Sequence, residues 1–232
     1  LGATTGLFTA WVEHSLIGAH GSEFQLSLLQ RGLLAGRVPW FYLSKLLWPS
    51  DLIFVYPRWE VDPQVWWQWL FPLATIVALA ILWRIRSHWR GPLAGCLLFV
   101  GTLFPVLGFL NVYPFRFSFA ADHFQYLASL GVITVFALGS AIWFDRLSPS
   151  ARVAAIAACS VLLALLFILT WRQCQMYRNA ITLYETTIAR NPRAWLALNN
   201  LGAELVERGQ YADGIARFQQ ALQLNPKNAE VH

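Results

Sequence analysis

Four long apolar runs constrain this chain more strongly than any other feature of its sequence. A helix needs roughly 20 apolar residues to cross the hydrocarbon core of a bilayer. The runs therefore predict four membrane spans, at residues 66–83, 91–112, 124–144 and 153–171. The composition agrees, because 12% of the residues are charged and 57% are hydrophobic, whereas soluble domains carry about 25% charged residues. We predict a multi-pass membrane protein.

Arginines mark the two short loops between these spans: Arg84, Arg86 and Arg90 in one, Arg146 and Arg152 in the other. Short loops rich in Lys and Arg are typically cytoplasmic, so both loops are predicted to face the cytoplasm. The loop 113–123 and the region after residue 171 are then periplasmic or lumenal. The net charge of +5 indicates contact with membrane lipid, and no nucleic-acid partner is expected.

The residues before the first predicted span follow a different pattern. The stretch "SLLQRGLLAGRVPWFYLSKLLWP" is apolar, but Arg31, Arg37, Pro39 and Lys45 interrupt it. Such a pattern suits helices that lie in the membrane interface. Residues 13–65 are therefore predicted to form an interfacial or re-entrant segment, with a tilted fifth span as the alternative. Together with the four spans it makes up a membrane domain over residues 1–175.

After residue 171 the sequence repeats itself with an offset of 34 residues. The offset aligns Tyr177 with Tyr211, Ile181 with Ile215, Tyr184 with Phe218, Ile188 with Leu222, and Asn191-Pro192 with Asn225-Pro226. A period of about 34 is that of the tetratricopeptide repeat (TPR), a pair of antiparallel helices. Residues 176–232 are thus predicted to hold a degenerate half-unit and one complete unit of a truncated TPR array. The whole chain is predicted to be all-α, a polytopic bundle followed by an extracytoplasmic solenoid.

Within the complete unit, small and apolar residues recur on one face of each helix. The predicted contact residues are Leu198, Leu201, Gly202 and Leu205 on the first helix, Tyr211, Gly214, Phe218 and Ala221 on the second, and Pro226 after it. The partner helix of the half-unit is expected within residues 161–175, the far half of the last span. Because no Gly-, Ser- or Pro-rich linker intervenes, the solenoid should be mounted stiffly on the membrane domain.

The stretch 111–131, "NVYPFRFSFAADHFQYLASLG", is the strongest candidate for a site. Its aromatic residues are typical of a membrane interface. One interpretation makes Asp122 the cap of a helix that begins near Phe124. The other brings Arg116, His123 and that helix N-terminus to an anion, such as the phosphate of a lipid-linked donor. Asp122 would then orient His123 or accept a hydrogen bond from a sugar hydroxyl.

Other candidate residues give weaker signals. Arg31 and Arg37, with Lys45, could hold an anionic headgroup. His14, His20 and Glu23 have a spacing that suits a metal ion, but Gly18 and Gly21 interrupt the segment, so no metal site is expected. The sequence shows no nucleotide-binding loop and no serine-hydrolase motif.

The combination of a polytopic membrane region, "ADHFQYLASLG" ahead of a span, and extracytoplasmic TPR repeats resembles the transmembrane-and-TPR O-mannosyltransferase family. Residues 31–51 resemble the arginine-to-proline segment of that family, and residues 121–131 resemble its acid, base, Tyr-Leu, Ser and Gly pattern. Animal members have Glu-Arg and a proline where this chain has Asp122-His123 and Ala128. The two charged positions therefore keep their charge type.

The resemblance implies a GT-C type glycosyltransferase that moves a sugar, mannose in that family, from a polyprenyl- or dolichyl-phosphate donor to protein Ser or Thr. It places Asp122, His123 and Tyr126 near the donor, and it makes the repeats a binding surface for acceptor or partner polypeptide. No cofactor is implied, because the lipid-linked sugar phosphate is a substrate. The catalytic carboxylate would lie in a first extracytoplasmic loop, which is expected upstream of residue 1.

Two other functions remain open at this point. The spans could anchor a non-enzymatic TPR scaffold that recruits extracytoplasmic proteins. A ligase that transfers a lipid-linked oligosaccharide would share the donor and hand over a polymer.

Overall fold

The computed structural model describes residues 24–226, and this part of the chain is helical with no strand. His14, His20 and Glu23 lie outside the described residues. The α-helices are α1 (Leu28–Leu47), α2 (Leu70–Ile85), α3 (Arg90–Leu103), α4 (Ser129–Asp145), α5 (Pro149–Cys174), α6 (Ala180–Arg190), α7 (Trp195–Glu207) and α8 (Tyr211–Leu224). Short 3₁₀ turns precede α2, α4 and α6 and follow α3.

Helix α1 occupies the segment for which interfacial helices were predicted, and it is one continuous helix. It begins with a reciprocal cap, in which the Ser27 hydroxyl accepts from the Gln30 N–H at 3.3 Å and the Gln30 side chain accepts from the Ser27 N–H at 2.9 Å. Pro39 lies inside the helix without ending it. Leu34, Val38 and Tyr42 are buried, so α1 contributes to the core.

The largest core cluster lies between α1 and the loop 107–128, which joins α3 to α4. At one end of this contact Arg31 donates to the carbonyls of Gly108 at 2.6 Å and Phe109 at 3.2 Å. At the other end the Tyr42 hydroxyl donates to the Ala121 carbonyl at 3.2 Å and accepts from its N–H at 3.1 Å. Helix α1 therefore runs along this loop.

Each predicted span contains a helix, but the helices differ in length. Two stretches, Trp66–Ile85 and Pro149–Tyr177, are long and apolar enough to cross a membrane, while the apolar stretches Arg90–Val106 and Ser129–Asp145 are shorter. The predicted ends at residues 112 and 124 are thus wrong as helix boundaries. Pro105 lacks the N–H that would continue α3. The residues before α4 form a separate 3₁₀ turn, Asp122–Gln125.

Helix α5 shows how much apolar surface these helices expose. Of its 26 residues only Ala155 is buried, and Leu163 and Phe167 are 66% and 67% exposed. A helix that is apolar all round and unburied within its own chain has the surface expected for contact with lipid.

Helices α3 and α4 approach each other closely at two glycines. A Cβ atom built on Gly95 would lie 2.7 Å from the carbonyl oxygen of Gly131, and one built on Gly131 would overlap the carbonyl of Gly95. Small residues at such crossings let helices pack backbone to backbone in membranes. At the far end of this pair, His88, Trp89 and Arg146 line one shared cavity, so the two basic loops lie at the same end of the bundle.

The TPR unit is formed by α7 and α8, with α6 packed against α7. Leu198, Leu201, Leu205 and Ala221 are buried as predicted. A Cβ on Gly202 would lie 2.7 Å from the Phe218 ring, and one on Gly214 would lie 2.9 Å from the Gly202 carbonyl oxygen, so the two helices cross at these glycines. Pro226 follows the end of α8 at Leu224.

Two details of the predicted repeat packing are wrong. Tyr211, expected in the contact between the two helices, is 65% exposed. Helix α6 packs on α7 and on the turn Gln175–Tyr177, whereas the far half of α5, its predicted partner, is largely exposed. Helix α5 ends at Cys174, and the turn Gln175–Tyr177 lies between it and α6.

The repeats are also attached to the segment 48–65, a contact that the sequence did not predict. Arg190, at the end of α6, donates to the Leu52 carbonyl at 2.9 Å, and the same carbonyl accepts from Gln173 of α5 at 2.9 Å. Val55 is buried against Ala194 and Ala197 of the repeat region. The solenoid therefore has two attachments, the short connection from α5 and this contact.

The glycine crossing of α3 and α4 can be tested by adding single methyl groups. Gly131→Ala should destabilise the protein by about 1–3 kcal/mol, because its Cβ would overlap the backbone of α3. The matched control is Gly139→Ala in the same helix, where nothing lies within 4 Å of the added Cβ. Thermal unfolding of the purified protein in detergent measures the stability of both variants. Equal midpoints for the two variants would contradict the crossing.

Candidate functional site

The candidate site is centred on Asp122, which begins the 3₁₀ turn before α4. The Tyr56 hydroxyl donates to Asp122 Oδ1 at 2.7 Å. Lys45, near the end of α1, and His123 lie within electrostatic range of the carboxylate. The Lys45 ammonium is held by the Ser50 carbonyl at 2.7 Å and lies 5.8 Å from the centre of the Tyr56 ring. An acid and a phenol are therefore hydrogen-bonded to each other, with two potential cations within electrostatic range of the acid.

Burial determines the protonation behaviour of this cluster. It raises the pKa of Asp122, and this effect outweighs the opposing effects of the Tyr56 hydrogen bond and of the charges on Lys45 and His123. Burial, together with the hydrogen bond and charge of Asp122, also raises the pKa of Tyr56. Tyr56 therefore stays protonated and donates. A half-buried carboxyl with a raised pKa beside cations is a common feature of functional sites.

The cap predicted for Asp122 is wrong. The N-cap residue of the 3₁₀ turn is Ala121, and α4 does not begin until Ser129. Neither the turn nor α4 has a hydrogen bond from a capping side chain. The carboxylate instead accepts the hydrogen bond from Tyr56 described above. The predicted helix N-terminus near Phe124 is therefore not available to bind an anion at this point.

His123 and Tyr126 are both exposed beside Asp122. The His123 ring packs edge-on against Phe124, with 4.6 Å between ring centres, and forms no hydrogen bond with Asp122. Tyr126 is 69% exposed. Tyr177, in the turn that leads to the repeats, lies within electrostatic range of both Asp122 and Tyr126. The cluster thus lies next to the connection between α5 and the solenoid.

Arg116 does not join this cluster. Its guanidinium lies over the ring of Trp195, 5.3 Å from the ring centre, and it lines a cleft between the loops and the repeats that contains neither Asp122 nor His123. Phe117, the next residue, packs on the same Trp195 ring at 5.0 Å. This aromatic contact directs the chain at Arg116 toward α7. The predicted convergence of Arg116 and His123 on one anion is therefore not observed.

Arg31 and Arg37, the weaker headgroup candidates, are both engaged within the protein. Besides Gly108 and Phe109, Arg31 donates to Leu26, Phe24 and the Asn111 side chain. The Arg37 guanidinium lies 4.4 Å from the Trp59 ring centre and within 6 Å of the rings of Trp67 and Phe71. Both side chains hold α1 in place through these contacts.

Sequence reasoning missed Tyr56 and gave Lys45 little weight. Tyr56 lies 66 residues before Asp122, in a segment with no regular secondary structure. No spacing rule connects two such positions, because the contact depends on how the segment 48–65 returns over α1. Pro57, Pro63 and the alternating charges near Tyr56 are typical of an ordered loop, and this pattern was the available signal.

Burial of the Asp122 carboxyl group predicts a specific dependence of stability on pH. The raised pKa of Asp122 means that ionising it costs stability, and this cost appears as the pH rises above about 4, the usual range of a carboxyl group. The Asp122→Asn variant should therefore have the same free energy of unfolding as the wild type near pH 4. At neutral pH it should be at least as stable as the wild type. Thermal unfolding in detergent across this range measures the difference.

Tyr56→Phe should have the opposite effect, because it leaves the buried carboxylate without its donor. The expected loss is about 1–3 kcal/mol at neutral pH, and it should shrink when Asp122 is already Asn. Tyr211→Phe, which removes an exposed hydroxyl, is the matched control. A Tyr56→Phe cost that is independent of residue 122 would contradict the interaction.

Comparison with known proteins agrees with the repeat assignment. Residues 202–232 match the family model of the TPR repeat. Over 140 residues, 59% of the chain, the sequence is 29% identical to Protein O-mannosyl-transferase Tmtc2 of Drosophila melanogaster. The aligned part makes up 15% of that protein, so the chain corresponds to a small part of its length. No solved structure matches the chain. The chain thus contains a TPR repeat, and part of it is similar in sequence to an O-mannosyl-transferase.

Proposed function

We propose that this chain is part of a membrane glycosyltransferase of the GT-C type, which transfers mannose from a polyprenyl- or dolichyl-phosphate donor to protein Ser or Thr. The observation that carries the proposal is the Asp122 cluster, a half-buried carboxyl hydrogen-bonded to Tyr56 and flanked by Lys45 and His123. The partial similarity to Protein O-mannosyl-transferase Tmtc2 supports the choice of sugar and acceptor.

Each member of the cluster has a proposed role in holding the donor. Lys45 and His123 supply positive charge for the donor phosphate. Asp122 accepts a hydrogen bond from a sugar hydroxyl when ionised, and when protonated it donates to a phosphate oxygen. The exposed Tyr126 ring offers an apolar face to the sugar. The catalytic base is assigned to a carboxylate outside these residues, as the family resemblance implies.

The proposed topology is a multi-pass membrane domain with the Asp122 cluster and the repeats on the extracytoplasmic side. Three observations support it: two helices long enough to cross a bilayer, the exposed apolar surface of α5, and the two basic loops at one end of the bundle. The repeats, fixed to the segment 48–65, bind acceptor or partner polypeptide close to the donor site.

A non-enzymatic scaffold is the second candidate function. The observation in its favour is the match of residues 202–232 to the TPR family, together with the firm attachment of the solenoid through Arg190 and Val55. In this role the helices anchor a rigid platform for extracytoplasmic proteins, and the Asp122 cluster has a structural purpose.

Sugar transfer by the full-length protein distinguishes the two functions. Asp122→Asn and His123→Ala should each lower the kcat/KM for the lipid-linked donor by about tenfold or more, because each removes a contact to the sugar or the phosphate. Transfer of radiolabelled mannose from polyprenyl-phosphate mannose to a Ser/Thr peptide in isolated membranes is the measurement. Asp145→Asn, at the other end of α4, is the control.

Expression, membrane insertion and thermal midpoint of each variant are checked in parallel. Normal transfer by both variants would exclude the cluster from donor binding. Absence of transfer by the wild type with any polyprenyl-phosphate sugar would favour the scaffold.

The proposed topology predicts where an impermeant thiol reagent can react. With the three native cysteines replaced by serine, single cysteines at His123 and Arg193 should be labelled in intact cells, or in sealed right-side-out vesicles. A single cysteine at Ser87, in the first basic loop, should react only after the membrane is opened. All three positions are exposed in the structure. The reversed pattern would overturn both the topology and the proposed donor site.

A further inference from the structure

An open groove lies between α2 and α3, at the end of the bundle that carries the first basic loop. Its volume is about 1200 Å³, which exceeds the roughly 300–1,000 Å³ of most small-molecule sites. Side chains of both helices and of the turn between them line this α2–α3 groove. The groove is therefore large enough for a ligand that contacts both helices at once.

Three arginines line the charged end of the groove, which we call its mouth. Arg84 belongs to the last turn of α2, Arg86 follows that helix, and Arg90 begins α3. The Arg86 guanidinium lies 3.8 Å from the centre of the Trp83 ring and donates to the Trp83 carbonyl at 2.8 Å, so its position is fixed. Arg84 and Arg90 are exposed, and neither side chain forms a hydrogen bond or an ion pair with a residue that the structure describes.

The charge at this mouth is not balanced by acids on the same helices. The sequence contains no Asp or Glu between Asp62 and Asp122. The second basic loop, at the same end of the bundle, adds Asp145 but also Arg146 and Arg152, so this end stays positive. A zwitterionic headgroup carries a cation beside its phosphate, and the groove has no acidic side chain to pair with that cation. The mouth therefore favours a ligand with net negative charge.

Beyond the mouth the groove is apolar. Its walls include Leu79 and Ala80 on α2 and Leu93 and Leu97 on α3. At 1.5 Å per residue, Leu97 lies about 10 Å along α3 from Arg90, so the apolar walls extend about that far from the charge. A ligand that covers the whole groove therefore needs an anionic head and an apolar tail.

We propose that the α2–α3 groove binds one anionic phospholipid. Its phosphate lies between Arg84 and Arg90, and its acyl chains lie along Leu93 and Leu97. Arginine suits this role because the planar guanidinium makes paired hydrogen bonds to phosphate oxygens. A soluble anion would leave the apolar walls uncovered, and a peptide in the same place would bring unpaired backbone groups into the hydrocarbon layer.

This phospholipid is distinct from the proposed sugar donor. Asp122 lies just before α4 begins at Ser129, whereas the groove lies at the end where α4 finishes at Asp145. Helix α4 has 17 residues, so it is about 25 Å long and keeps the two sites apart. The inference uses the membrane placement proposed above and goes beyond sugar transfer, because it assigns a lipid to the contact between α2 and α3.

Native mass spectrometry of the full chain in a neutral detergent measures its affinity for added phosphatidylglycerol. The wild type should retain phosphatidylglycerol in preference to phosphatidylcholine. Arg84→Gln and Arg90→Gln should each weaken phosphatidylglycerol binding by about threefold to tenfold, because each removes a charged hydrogen bond to the phosphate. Arg152→Gln is the matched control, an exposed arginine at the same end of the bundle but outside the groove, and it should keep the wild-type affinity.

Ala80→Phe tests the apolar part of the groove without changing its charge. Ala80 is exposed on the groove wall, so the larger ring occupies space that the acyl chains need. It should weaken phosphatidylglycerol binding by about threefold or more. The matched control is Ala154→Phe, at an exposed alanine of α5 outside the groove. A phosphatidylglycerol with a diazirine in its acyl chain should form its photo-adducts on α2 and α3, as mapped by peptide mass spectrometry.

Several results would overturn the lipid site. They are an affinity loss in Arg152→Gln equal to that in Arg84→Gln and Arg90→Gln, unchanged affinity in both groove variants, equal retention of phosphatidylcholine, or adducts outside α2 and α3. Displacement of the lipid by an equal concentration of glycerol 3-phosphate would assign the arginines to a soluble phosphate instead. Because the assay contains no sugar donor and its variants lie outside the Asp122 cluster, its failure is distinguishable from failure of the glycosyltransferase proposal.

Discussion

The structure depends on the contact of helix α1 with the loop 107–128. That loop runs for more than twenty residues with little regular structure, so its carbonyls need partners that the loop itself does not supply. Arg31 satisfies Gly108 and Phe109 at one end, and the Tyr42 hydroxyl satisfies Ala121 at the other. Burial of Leu34 and Val38 between these two anchors adds the hydrophobic contribution.

This contact positions the Asp122 cluster and the solenoid through a single segment, residues 48–65. The segment returns over α1, where Phe41 packs edge-on against Tyr56 at 5.0 Å and against Trp59 at 5.1 Å. From there the Tyr56 hydroxyl reaches Asp122, and the neighbouring Val55 faces the repeats. Adjacent residues therefore connect the proposed donor site to the solenoid, so movement of one is expected to strain the other. Such a connection suits an enzyme that must present an acceptor polypeptide to a lipid-bound donor, and it equally suits a rigid scaffold.

The helices and the repeat could be predicted from the sequence because they follow local rules. A run of apolar residues predicts an apolar helix, and the 34-residue offset that aligns Tyr177 with Tyr211 predicts the TPR unit. The helix ends were less predictable, since α4 begins at Ser129 only because the residues before it form a separate turn around Asp122. Tyr211 was misassigned because its place in the repeat pattern does not say whether another helix covers it.

By itself the sequence determined the class of this protein, an all-helical chain with strongly apolar segments, basic loops and a TPR unit, because these properties depend on composition and short-range periodicity. The tertiary structure decided which polar groups meet. It paired Asp122 with Tyr56, turned Arg116 toward Trp195, and gave the Asn191 side chain the Val55 carbonyl as its partner. These contacts join residues far apart in sequence, and their energies depend on burial and on the direction of individual hydrogen bonds, which no local pattern specifies.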